Sequence, residues 1–110
     1  MKKTYSYHPQ VRETARVLGL EVAGARRERR WTAAELAERA GISPVTLRKI
    51  ERGDPTVAIG TVFEVITLLG ISLITPDRKS LATIADQAST RLALLPARVR
   101  DRHTEVHDDF

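Results

Sequence analysis

Residues 31–53 read WTAAELAERAGISPVTLRKIERG, and this stretch decides the fold. It divides into two short helices around a tight turn. Thr32 stands where an N-cap belongs and Glu35 follows three residues later. At that spacing each side chain satisfies a free backbone N–H at the helix start. Leu36, Ala37 and Ala40 fall on one face at helical spacing. Gly41 comes next, where a left-handed turn is easiest without a Cβ, and Ile42 is placed to plug the core. Ser43 caps the second helix, with Pro44 at its first position, where a missing N–H costs nothing. Leu47 and Ile50 point inward, and Gly53-Asp54-Pro55 ends the element.

On the N-terminal side, residues 1–10 are polar, with two tyrosines and Pro9, and read as a flexible arm. From about Val11 to Arg30 the pattern is helical, with Ala15, Leu18, Val22 and Ala25 along one stripe. Gly19 and Gly24 each weaken that helix by about 1 kcal/mol relative to Ala, and suit close helix packing instead. Trp31 is expected to cover the edge of the core.

On the C-terminal side a helix is predicted over 57–69, carrying Ile59, Val62, Phe63, Ile66 and Leu69, with Thr56 as its cap and Gly70 as its stop. Ile71-Ser-Leu-Ile-Thr75 is β-branched-rich, is ended by Pro76-Asp77, and reads as one short strand. A lone strand leaves its N–H and C=O groups unpaired, and the chain offers no second strand candidate. The same strand from a copy related by a two-fold axis is the simplest partner, which makes Ile71, Leu73 and Ile74 the expected dimerisation residues. A further helix is predicted within 80–95, with Leu81, Ile84, Ala85, Ala88, Leu92 and Leu95 as an apolar stripe and Pro96 as its stop. It is expected either to pack on the domain or to support a dimer. The tail over 96–110 is charged and aperiodic from Ala97 on, is expected to be disordered, and places Phe110 behind Asp108 and Asp109.

These readings give an all-α domain over 11–75, of four to five helices with the extra one, and a short strand that pairs across a dimer. Composition agrees. With 110 residues the chain fits one domain plus extensions, and 42% hydrophobic residues with few aromatics suit a small aliphatic core. There is no cysteine, hence no disulfide framework and no thiolate metal site. The opening MKKTYSYHP holds no apolar run, and no stretch reaches the roughly 20 apolar residues of a membrane span. A soluble, cytoplasmic protein is expected.

Charge is unevenly placed within the net +4. Residues 1–30 carry eight Lys or Arg against three acids, whereas residues 31–56 carry four of each. Arg26, Arg27, Arg29 and Arg30 are the densest part of that excess; they suit a helix C-terminus, where cations complement the dipole, and they suit phosphate contact. Other chemistry finds little support. His103 and His107 stand four apart, but HTEVH is not the HExxH zinc pattern, so no metal site and no cofactor is expected. No glycine-rich phosphate loop and no gathered nucleophile and base are evident, so the chain is not expected to be an enzyme.

The segment from about Leu18 to Ile71 resembles the DNA-binding domain of the lambda-repressor-like (Xre, or Cro/C1-type) helix-turn-helix family. The resemblance lies in the TAAELA run at 32–37, the AGIS turn at 40–43, the TLRKIERG run at 46–53, and LLGI at 68–71. It implies that the second helix enters the major groove, its first residues reaching base edges and its flanks holding phosphates. Pro44, Val45, Arg48 and Lys49 are then the outward reading positions. Lys49 suits guanine O6 and N7, and Val45 suits a thymine methyl. Thr32, Ser43, Thr46 and Arg52 are the expected phosphate contacts, beside two helix N-termini aimed at the backbone. A helix-turn-helix domain followed directly by a short strand and a tail resembles HipB-type antitoxins more narrowly. There the strand pairs across a homodimer that represses its own operon and binds a HipA-type kinase toxin. That resemblance implies an antitoxin, with Phe110 as a toxin-binding anchor. A stand-alone repressor without a toxin, and an interaction adaptor that has lost DNA binding, are the other readings of the same sequence.

Overall fold

The computed structural model describes residues 6–73 and 80–99. Among them are five helices: α1 (Pro9–Glu28), α2 (Ala33–Ala40), α3 (Pro44–Glu51), α4 (Ile59–Leu69) and α5 (Leu81–Ala93). They fall into two units that divide between Ser72 and Leu73. No described helix is long and apolar enough to cross a membrane.

The first unit is built on one apolar cluster. Val22 of α1, Leu36 and Ala37 of α2, Leu47 and Ile50 of α3, and Val65, Ile66 and Leu69 of α4 are all buried. Leu36, Leu47, Val22 and Val65 are completely so, each worth about 1.5–3 kcal/mol of apolar transfer. Leu18, Ala25, Trp31, Ile42, Val62 and Ile71 close the edges. Trp31 is half-buried at the rim, as expected, with the Arg39 guanidinium 4.3 Å from its ring centroid.

The helix ends follow local chemistry. Thr32 and Glu35 make the reciprocal capping box, with Glu35 N–H donating to Thr32 Oγ1 at 3.0 Å and Thr32 N–H to Glu35 Oε1 at 2.7 Å. All four helices of this unit stop in the same way. One residue turns left-handed and the N–H after it donates five residues back: Trp31 to Arg26, Ile42 to Ala37, Asp54 to Lys49, Ile71 to Ile66. The left-handed residue is glycine at 41, 53 and 70, but at the end of α1 it is Arg30, with φ 60°.

Several expectations need correction. α1 starts at Pro9, not Val11, because His8 Nδ1 accepts from Gln10 N–H at 3.0 Å and Pro9 takes the first helical turn. α4 starts at Ile59 behind Ala58, which offers no side-chain cap. Thr56 cannot cap it, since its N–H and hydroxyl both donate to Asp54 Oδ1. Gly24 faces open space, so close packing explains Gly19 alone. α5 ends at Ala93, short of the residues read as helical up to 95. Ile71, Ser72 and Leu73 form no strand in the single chain, while Ile74 and Thr75 lie outside the described residues. So do residues 1–5 of the arm and 100–110 of the tail.

α1 and α3 are joined more closely than side chains allow. A Cβ on Gly19 would sit 2.5 Å from the Ile50 carbonyl oxygen, and one on Gly53 only 2.7 Å from the Arg16 Cα. Beside this contact Arg26 donates from Nε to Glu51 Oε2 at 2.8 Å, from Nη2 to Glu51 Oε1 at 3.1 Å, and from Nη1 to the Trp31 carbonyl at 3.0 Å. The two side chains are only 12% and 15% exposed. Removing one partner strands a charge with little water, so Glu51→Ala is expected to lose about 3 kcal/mol of stability in urea unfolding. Replacing both residues with leucine is expected to lose clearly less.

Candidate nucleic-acid interface

α3 sets out the site because its two faces are chemically opposite. Leu47 and Ile50 are buried, which fixes the helix by its inner side. Pro44, Val45, Arg48 and Lys49 are then all exposed on the outer side, Val45 with 53% of its surface free. An exposed valine beside two cations, on a helix held from behind by packing, is a surface able to meet both an apolar group and hydrogen-bond acceptors.

The N-terminus of α3 carries a small hydroxyl network. Ser43 Oγ accepts from Thr46 N–H at 3.1 Å and donates to Thr46 Oγ1 at 2.9 Å. One proton is used between the two hydroxyls, so one remains for an external acceptor. Thr32 Oγ1 likewise accepts the Glu35 N–H, which leaves its own proton to donate. Thr46 is half-buried, whereas Thr32 and Ser43 are exposed. At the opposite end of α3, Arg52 is exposed and its N–H donates to the Arg48 carbonyl at 2.9 Å. Hydroxyl donors at two helix starts and cations along one outward face form a ridge complementary to an anionic, grooved partner.

The structure also separates arginines that the sequence left alike. Arg26 is committed to Glu51 and Trp31. Arg29 donates to the Ala25 carbonyl at 3.0 Å and to the Leu69 carbonyl at 2.6 Å, tying the ends of α1 and α4 together. Of that cluster Arg27 and Arg30 have no such bonds among those seen, and both are exposed. Two groups at the end of α3 went unnoticed in the sequence. Arg16 is brought against Gly53, and it pairs with Glu13 at 3.0 Å. Asp54 places a carboxylate among the cations Lys49 and Arg52. Spacing could have found neither, because both depend on how α1 crosses α3.

Of the other sequence candidates, Ile71 is half-buried against the core, and its N–H is occupied by the Ile66 carbonyl. Leu73 is 52% exposed. Ile74 and Phe110 lie outside the described residues, as do His103 and His107.

Residues 22–75 match the family described as helix-turn-helix. No curated protein matches the chain. A solved complex of a single-substitution HipB variant with a 20mer, O2, is similar in structure, with a TM-score of 0.50 and 26% sequence identity. The similarity covers 72% of this chain and 99% of that one.

Asp54 is held below the usual carboxylate range. The Thr56 hydroxyl is the main cause and the Thr56 N–H the next; slight burial opposes them, and the charges of Lys49 and Arg52 add to them. A depressed folded pKa stabilises the fold above the unfolded value near pH 4, and that contribution disappears as pH falls through the lower folded value. Thr56→Val removes the main cause. Asp54 is then expected to titrate at higher pH, read from its carboxyl carbon shift by NMR.

Proposed function

Since residues 22–75 are a helix-turn-helix domain of the lambda-repressor-like family, we propose that the chain is a sequence-specific DNA-binding transcriptional repressor, and the autoregulating antitoxin of a HipBA-like pair. The observation that carries the DNA reading is the outward face of α3, where Val45, Arg48 and Lys49 are exposed on a helix anchored by Leu47 and Ile50. Pro44, Val45, Arg48 and Lys49 read base edges in the major groove. Thr32, Ser43, Thr46 and Arg52 hold the backbone on either side, the first three with hydroxyl protons at helix starts. Lys49 donates to a guanine, and Val45 packs on a thymine methyl.

The repressor acts as a homodimer on a two-fold operator, with reading helices about one turn, roughly 34–36 Å, apart. Pairing of residues 71–75 across the dimer supplies the contact. The Ile71 N–H is spent on capping α4, so the ladder draws on Leu73, Ile74 and their neighbours. The antitoxin part rests on similarity to HipB, over 99% of that chain, and on the material beyond residue 75 that a DNA-reading unit does not need. In this reading the partner is a HipA-type kinase toxin, and Phe110 is the aromatic anchor at its surface.

Lys49→Ala is expected to weaken operator binding by about 1–3 kcal/mol and relax preference at one base pair, whereas Arg52→Ala weakens all sequences alike and flattens the salt dependence. Fluorescence anisotropy with operator and scrambled duplexes reads both. Equal affinity of the unaltered protein for the two duplexes at physiological salt ends the repressor reading.

For the antitoxin, deleting residues 97–110 is expected to leave operator affinity unchanged and to reduce neutralisation of the kinase encoded beside it, scored by growth on co-expression. Full neutralisation by the shortened chain moves the toxin contact to the folded dimer.

A further inference from the structure

α5 is an amphipathic helix with nothing on its apolar side. It has 13 residues and none is buried. Leu81, Leu92 and, just beyond its end, Leu95 are 63%, 71% and 57% exposed. A helix of this length is marginal in water without a surface to pack on, so the stripe calls for an occupant.

The spacing of the stripe identifies that occupant. Leu81, Ala85, Ala88 and Leu92 are separated by four, three and four residues, so the pattern reads the same in both directions about the midpoint between Asp86 and Gln87. We propose that α5 pairs antiparallel with α5 of a second copy of this chain. Leu81 meets the second copy's Leu92, and Ala85 meets its Ala88. Steps of three and four follow the seam of two wound helices, the central alanines let the backbones approach, and the leucines close both ends. Charge agrees with this register. Asp86 and Arg91 are the two charged residues of α5. In the antiparallel pair Asp86 lies level with Gln87 and Arg91 with Ala82, so neither meets its like.

Size argues for the same occupant. So short a seam buries well under the roughly 800 Å² per partner that holds a freely diffusing protein. A second copy already joined through residues 71–75 is different, since a short connection presents its α5 at an effective concentration in the millimolar range. The inference therefore rests on the dimer proposed above and adds a second contact to it.

The chain contains no cysteine, so introduced thiols report on this register alone. Leu81→Cys and Leu92→Cys are each made in the full chain, then mixed and oxidised. A disulfide between the two variants is expected at several times the yield of either variant with itself. Self-linking of Leu81→Cys at equal or higher yield overturns the antiparallel register. In parallel, Ala88→Glu puts a charge into the seam and is expected to weaken self-association about tenfold in sedimentation, with the helix content of the chain retained. If the unaltered chain sediments as a dimer but neither cross-link nor effect of Ala88→Glu is seen, the pairing of α5 is wrong while the dimer stands. If it sediments as a monomer, the dimer itself fails and this contact with it.

Discussion

The contact on which the first unit depends is the meeting of two backbones, α1 against the end of α3. Gly19 and Gly53 leave no side chain between them, and the gaps are too small for even a methyl group. Helices held this close cannot tilt or slide without a clash, so the direction of α3 is set by main chain rather than by adjustable side chains. The Arg26–Glu51 pair then fixes the position along that contact. Its third hydrogen bond, to the Trp31 carbonyl, extends the constraint to the turn where α2 begins. One arginine thus positions both helix starts from which the proposed interface is built.

Helix ends provide the second level of order. Left-handed stops at 30, 41, 53 and 70 reverse the chain four times, and in each case the following residue donates back into the helix it has just left. Trp31, Ile42 and Ile71 do more than close a hydrogen bond, since each also packs on the core from that position. The turn chemistry and the core are therefore one system. An arginine in the left-handed position at 30 carries a cost of about 1 kcal/mol that the glycines avoid. The chain tolerates it at the point where Arg26, two turns of hydrogen bonding and the tryptophan already over-determine the geometry.

What the sequence made legible was local. The capping box at Thr32 and Glu35, the Ser43–Pro44 start, the glycine stops and the buried faces of α2 and α3 each depend on residues a few positions apart, where spacing speaks directly. What it hid depends on distant partners or on competition. Arg26 looked like one of several solvated cations because Glu51 lies 25 positions away. Thr56 looked like a cap because nothing in its spacing shows that Asp54 takes both its donors first. His8, a residue seldom read as a cap, shifted the start of α1. The outward positions Pro44, Val45, Arg48 and Lys49 were legible for a simpler reason: they are what remains once the inward stripe of α3 has been assigned. Their bonding to a ligand is a matter for experiment, as is the strand at 71–75, whose second half falls outside the described residues.

The division of labour within α3 bears on how such a protein changes over generations. Its placement is secured by Leu47, Ile50 and carbonyl groups that every amino acid possesses, while Pro44, Val45, Arg48 and Lys49 hold no part of the core. Substitutions at those four surface positions alter what the helix meets without disturbing where it lies. A duplicated copy of the gene can therefore drift to a new target sequence through a handful of point changes, each nearly neutral for folding. Relatives built on the same frame should differ most where they touch their targets and least where two backbones touch each other.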